Sequence, residues 1–233
     1  MWAGLVGRRR NFAGPLRSFR SRKHRATWES AREAENVMVV AHPDDESLWG
    51  GFTLASDEPW TVLCMTHSRT VERRRDFYQS LAILGQVGAM LDLPDREEVP
   101  ATREDIEQMT QVLTPIIQSP SVKRVMTHGT LGEYGHPLHR TVNAVVTDLA
   151  PDKERLWYFS FDAKTSLDTV DFRRYGRKLR AIRNYFGDEE NWYPSMHGHL
   201  ALAAHESPQR AGDFNAPMEF VRQCYKDRLK LVI

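Results

Sequence analysis

From Val37 to Ala41 the chain reads Val-Met-Val-Val-Ala, an unbroken apolar run that stops abruptly at His42-Pro43-Asp44-Asp45-Glu46. A strand that is apolar at every position, rather than every second one, must be covered on both faces, as central strands of parallel sheets are. This restricts the fold more than any other feature, because parallel neighbours require long crossover connections, usually helical. Pro43 biases His42 towards extended backbone and so favours a sharp exit from the strand. The polar groups then fall just beyond the carboxyl end, where open α/β sheets bind their ligands. A single acid would suffice to cap the next helix. A histidine with two adjacent aspartates exceeds that need and points to a metal or catalytic site.

The rest of the pattern agrees with such a sheet. Strands are expected at Trp60–Met65, Ala89–Leu93, Val122–Thr127 and Arg155–Phe161, the last carrying the core aromatics Trp157, Tyr158 and Phe159. Helices are expected at Glu46–Ser56, Val71–Leu84, Thr102–Gln118, His136–Leu149 and Val170–Phe186. Gly50 and Gly51 weaken the first of these. Gly85 is placed to end the second as a C-cap, and Thr102 to start the third as an N-cap. The alternation predicts a single α/β domain, a Rossmann-like, mostly parallel sheet with helices on both faces. The GxGxxG fingerprint is missing after the first strand, so dinucleotide binding loses its main support. Residues 191–233 have no pattern that orders them.

Residues 1–28 hold eight basic residues and no acid, although the whole chain is net +1. The reading is a flexible basic extension over 1–35, suited to weak peripheral contact with anionic lipid, ahead of a catalytic domain over 36–233. An organellar leader or a nucleic-acid-binding arm are its rivals. Cys64 and Cys224 form no CxxC spacing, which fits a reducing, cytoplasmic setting. No apolar stretch is long enough to make a transmembrane segment.

Ligand-type residues recur after the other strands. Thr66-His67-Ser68 follows the second, Asp92 and Asp95 the third, and His128-Gly129-Thr130-Leu131-Gly132-Glu133-Tyr134-Gly135-His136-Pro137-Leu138-His139 the fourth. Pro137 suits the first turn of a helix, which puts His136 and His139 on one face. Alone, that pair reads more simply as a cap and a satisfied core histidine. Two histidines with one aspartate from the first strand make a three-ligand set with an open position, as in catalytic zinc sites. The same donors also compose the facial triad of non-haem iron oxygenases, but a spare carboxylate base favours hydrolysis. His197 and His199 are a weaker second metal candidate.

Ala41-His42-Pro43-Asp44-Asp45-Glu46, Gly50-Gly51 and Gly135-His136-Pro137-Leu138-His139 together resemble the PIG-L/LmbE-like family of zinc-dependent N-acetylglucosaminyl deacetylases, over roughly Val37 to Val146. The resemblance implies that His42, Asp45 and His139 hold Zn2+ and that Asp44 is the general base. It implies His136, as a charged or hydrogen-bonding partner, and Tyr134 at the developing oxyanion, and Arg73 and Asp95 at the substrate. The implied substrate is a small molecule or glycoconjugate bearing an N-acetylamino sugar; a homo-oligomer is compatible with it. Two positions depart from the family pattern: His67-Ser68 stands where a glycine is usual, and Phe186-Gly187 where a Ser-Gln pair is. The rival functions are an amidase for another N-acyl or thiol conjugate, and a non-catalytic carbohydrate or lipid-head-group binder.

Overall fold

The computed structural model describes residues 21–96, 99–160, 171–186, 206 and 208–213. The apolar run forms β1 (Asn36–Val40), buried at all five positions. It is followed by α1 (Asp45–Leu54), β2 (Thr61–Thr66), α2 (Val71–Leu84), β3 (Val87–Leu93), α3 (Arg103–Ile117) and β4 (Arg124–Thr127). A short turn α4 (Gly132–Gly135) leads into α5 (Pro137–Leu149), β5 (Leu156–Tyr158), α6 (Phe172–Phe186) and β6 (Gln209–Arg210). The sheet order is β3-β2-β1-β4-β5-β6. The first five strands are parallel and β6 is antiparallel to β5. This is the expected α/β domain.

Successive residues of β1 serve different cores. Met38 and Val40 pack with Trp49, Phe77, Leu81 and Ile182 from α1, α2 and α6, while Val37 and Val39 pack with Met109, Leu113, Val142 and Val146 from α3 and α5. Helices on both faces therefore explain why the strand has no polar alternation. The chain steps outward from β1 to β2 and β3, then returns to place β4 on the other side. The reversal opens a crevice at the carboxyl ends of β1 and β4, the usual ligand position in such sheets.

The two glycines that weaken α1 in sequence are there for space. A Cβ on Gly50 would stand 2.5 Å from Met38 Cε, and one on Gly51 would stand 2.8 Å from Cγ of Lys178. Lys178 is fully buried on α6, with Nζ 2.8 Å from Glu206 Oε2. β3 begins two residues earlier than the sequence pattern indicates, because Gly88 conceals strand character; a Cβ there would meet Val62 O at 2.5 Å. β5 is shorter than expected. Gly85 ends α2 at φ 83° and Thr102 opens α3 in a capping box with Asp105, as expected.

Replacing Thr102 by alanine is expected to lower the unfolding free energy by about 1 kcal/mol in urea titrations. Burial works against the charge of Asp105, but Arg96 and Thr102 outweigh it and hold the carboxyl below its usual range. Its contribution to stability is therefore complete above roughly pH 4 and lost as pH falls through the lower folded value.

Residues 21–35, assigned above to a loose arm, are docked. His24 Nδ1 lies 2.8 Å from Gln86 O, the Ala26 amide donates to Gly88 O, and Arg25 stacks 4.9 Å above the Tyr78 ring centroid. Ala31 is fully buried and Trp28 packs on the second core. These two apolar anchors among basic residues are what hold the segment. Residues 1–20, Cys224 and the His197–His199 pair lie outside the described residues. Among the described residues no helix is long and apolar enough to cross a membrane.

Candidate metal and catalytic site

The crevice gathers the sequence-selected residues at the ends of β1 and β4. Asp44 sits between β1 and α1 at φ 120° and ψ −31°, a conformation that L-residues seldom adopt. Its carbonyl accepts the Ser47 and Leu48 amides at 2.9 Å, so the strained residue is also the start of the helix. Among the described residues, the three non-glycine residues with positive φ are Asp44, His67 and Glu133, and all border this site. Each such conformation costs on the order of 1–3 kcal/mol and persists only when its surroundings enforce it.

Asp45 is the first residue of α1. Its Oδ2 accepts the His42 amide at 2.7 Å and its Oδ1 accepts Trp49 Nε1–H at 3.0 Å. The same Oδ2 stands 3.3 Å from His42 Nδ1 and 3.3 Å from His139 Nε2. His42 Nδ1 and His139 Nε2 are 3.1 Å apart, closing a nearly equilateral triangle of donor atoms. Ligand atoms about 2.0–2.1 Å from a tetrahedral ion stand roughly 3.3–3.4 Å apart, so the triangle has the size of one face of such a site. Three lone-pair-bearing atoms this close require a cation or protons between them. Burial opposes charge on both rings, but Asp45 and Asp95 raise His42 to about 9, and Asp45 and Glu133 raise His139 to about 10. Asp45 itself is held well below the usual carboxylate range, burial being outweighed by His139 and His42. The site favours positive charge at its centre and can hold a metal ion.

Two further histidines approach the triangle, making His42–His136–His139 and Asp45–His128–His139 alternative donor groups. Hydrogen bonding decides against His128. Its Nε2 accepts the Ala41 amide at 2.9 Å and its Nδ1 donates to Glu133 Oε2 at 2.8 Å, which uses both nitrogens. Burial, then the neighbouring His139, lower its pKa, in keeping with a neutral ring. His136 is the N-cap of α5, with Nδ1 accepting the Leu138 amide at 3.3 Å, and its ring lies 4.7 Å from that of His42. Burial, His139 and His42 push its pKa down to about 4. This direction favours a neutral ring, and with Nδ1 accepting the Leu138 amide the ring hydrogen belongs on Nε2, the hydrogen-bonding form of the role the resemblance implies. Tyr134 is 45% exposed, its ring 5.5 Å from that of His139, at the mouth of the site.

Asp44 and Asp45 point apart. The Asp44 carboxyl receives Arg73 at 3.3 Å. Burial raises its pKa to about 7, with Arg73 opposing and Asp45 reinforcing the shift. Arg73, expected at the substrate, is therefore placed against Asp44, and Asp76 is taken by Arg75 at 2.9 Å. Asp95 faces His42: its Oδ1 is 3.4 Å from His42 Nε2 and its Oδ2 is 3.3 Å from His67 Nε2. His67, at φ 61°, occupies the place where a glycine would be free of strain.

Several participants had no role in the sequence reading. Glu46 is fully buried; its Oε2 accepts the strained Asp44 amide at 3.0 Å, and its Oε1 accepts hydroxyls of Ser47, Ser80 and Tyr185 at 2.7, 2.9 and 2.7 Å. Its place in the acidic motif was a visible signal. Tyr185, brought from α6, carried none.

A family model described as "PIG-L: GlcNAc-PI de-N-acetylase" matches residues 37–150. That stretch, just under half of the chain, is similar to the PIG-L family. That family is generally one of deacetylases and related hydrolases. The PIG-L match spans β1 to α5 and with them every residue of the donor triangle, whereas Tyr185 lies beyond it. Uncharacterized protein L374 of Acanthamoeba polyphaga mimivirus is 27% identical over 149 residues, covering 57% of this chain and 64% of that protein. The chain thus spans slightly less than two thirds of that relative. Among solved structures, GalB, the 4-carboxy-2-hydroxymuconate hydratase of Pseudomonas putida KT2440, superposes with a TM-score of 0.48 at 16% identity, covering 68% of this chain and 82% of that one.

Proposed function

We propose that the chain is a zinc-dependent N-deacetylase that releases acetate from a small molecule or glycoconjugate bearing N-acetylglucosamine. The observation that carries this reading is the convergence of His42 Nδ1, Asp45 Oδ2 and His139 Nε2 within 3.1–3.3 Å of one another, with a separate carboxyl, Asp44, beside them. Two imidazoles and a carboxylate suit zinc, which when bound lowers the pKa of water towards about 7 and polarises an amide carbonyl.

The other steps fall to the chain. Asp44 takes a proton from the attacking water and returns it to the amine nitrogen as the C–N bond breaks, so water and amide become acetate and a free amine. Arg73 fixes the position of that carboxyl. His136, through Nε2–H, and Tyr134, through its hydroxyl, donate to the carbonyl oxygen as negative charge builds on it. Asp95 aligns the His42 ring and keeps a fifth of its side chain exposed, enough to meet a sugar hydroxyl. A binder without catalysis would gain nothing from holding Asp44 in a strained conformation next to the ligand set.

The test is incubation of the zinc-loaded protein with a panel of N-acetylglucosamine conjugates and matched conjugates of longer acyl chains, scored for released acid. Acetate release that tracks bound zinc is the expected result. Cleavage confined to the longer acyl groups would move the activity to another amide, and a chain that binds no divalent metal would sink the reading.

A further inference from the structure

Glu133 lies in the loop between β4 and α5 and is bound more tightly than a loop residue needs to be. It is 7% exposed, at φ 53° and ψ −75°, inside a turn whose neighbours Gly132 and Gly135 also have positive φ. Its Oε2 takes two histidine N–H groups, His139 Nδ1 at 2.6 Å and His128 Nδ1 at 2.8 Å, and its Oε1 accepts the Gly129 amide at 2.9 Å. One carboxylate therefore sets the tautomer of two rings. For His139 the hydrogen is fixed on Nδ1, leaving the Nε2 lone pair for the donor triangle. For His128 the same arrangement leaves Nε2 free to accept the Ala41 amide, next to His42. The rings of His128 and His139 stack at 4.0 Å between centroids, so neither can rotate independently.

We propose that Glu133 is a positioning residue that fixes the orientation and tautomer of both histidines, and through His139 and the His128–Ala41 link sets the metal affinity of the site. This rests on the metal reading above. Carboxylates that receive the distal N–H of a ligating histidine commonly contribute about 10–100-fold to metal affinity. Glutamine is nearly isosteric but cannot replace Glu133: with its oxygen towards the histidines its amide N–H2 faces the Gly129 amide, and with its oxygen towards Gly129 it faces two N–H groups. The backbone strain at position 133 makes sense on this account, because in this conformation one carboxylate meets both rings.

The experiment is competition for zinc against a chromophoric chelator with the full chain and its Glu133→Gln and Glu133→Asp variants, beside 15N NMR of the histidine rings. The expected result is a zinc dissociation constant about 10–100-fold weaker in Glu133→Gln, with less than full recovery in Glu133→Asp. In the zinc-loaded unmutated protein, the His139 and His128 rings should both show the Nδ1–H tautomer with strongly downfield protons. Equal zinc affinity in the unmutated protein and Glu133→Gln would overturn the proposal while leaving the metal reading intact. An Nε2–H tautomer at His139 in the zinc-loaded unmutated protein would overturn it even if the variants fail to fold. Absence of zinc binding by the unmutated protein would remove the metal reading and this inference with it.

Discussion

Asp44→Asn is expected to lower kcat for amide hydrolysis by roughly two to four orders of magnitude, the usual range for loss of a positioned general base, while zinc remains bound in full. The side chains are nearly the same size, and the atoms that build the donor triangle belong to His42, Asp45 and His139, so the ligand set is untouched. What disappears is the carboxylate proposed to accept the water's proton. The Asp44 backbone should hold its place, because its amide is bonded to Glu46 and its carbonyl to the first turn of α1. Metal analysis beside steady-state kinetics reads both halves of the prediction. Turnover at the unmutated rate would show that Asp44 is not the base.

His139→Ala is expected to act on the other half of the site. The residue is fully buried between Asp45, His42 and Glu133, and its Nε2 is one corner of the triangle. Without it two donors remain, so zinc should be absent from the purified protein and deacetylation should fall below detection. Stability should fall as well, by about 3–5 kcal/mol, the usual result of removing one partner from a buried ion pair. The matched control is His128→Asn. His128 lies as deep, but both of its nitrogens are already engaged, so this variant should still bind one zinc at saturating metal. Failure of His128→Asn to bind zinc under those conditions would exchange the two donor groups and place His128 in the ligand set. Metal stoichiometry after dialysis, with thermal melts of each protein, distinguishes these results.

Much of the fold was legible because its signals are local. The unbroken apolar run of β1, the helical spacing of Phe77, Leu81 and Leu84, the Gly85 terminus and the Thr102 cap each depend on a few neighbouring residues. The boundaries that slipped are those where a tertiary contact replaces a local preference. Gly88 belongs to a strand because nothing larger fits beside Val62 O, and Ala31 and Trp28 hold a basic segment that reads as loose. In the site, the candidates at the ends of β1 and β4 were visible as polar residues in costly positions, and the structure does bring them together. Arg73 reaches the same site, where its guanidinium meets Asp44.

By itself, then, the sequence determined a buried parallel strand, a crossover fold and a polar cluster past the end of that strand. Apolar pattern, caps and the cost of burying charge are properties of short segments, which is why they can be read without coordinates. Only the tertiary structure decided how that cluster divides its work. Strand order sets β4 beside β1, so that His139 reaches His42 across 97 residues of chain. The packing of α6 brings the Tyr185 hydroxyl to Glu46 across 139. Glu133 binds two histidines at once, and His128, chemically identical to its stacked neighbour, is turned from the donor triangle to a backbone amide. Each of these outcomes depends on hydrogen-bond geometry between segments far apart in the chain, and no local pattern of residues encodes which nitrogen faces which partner.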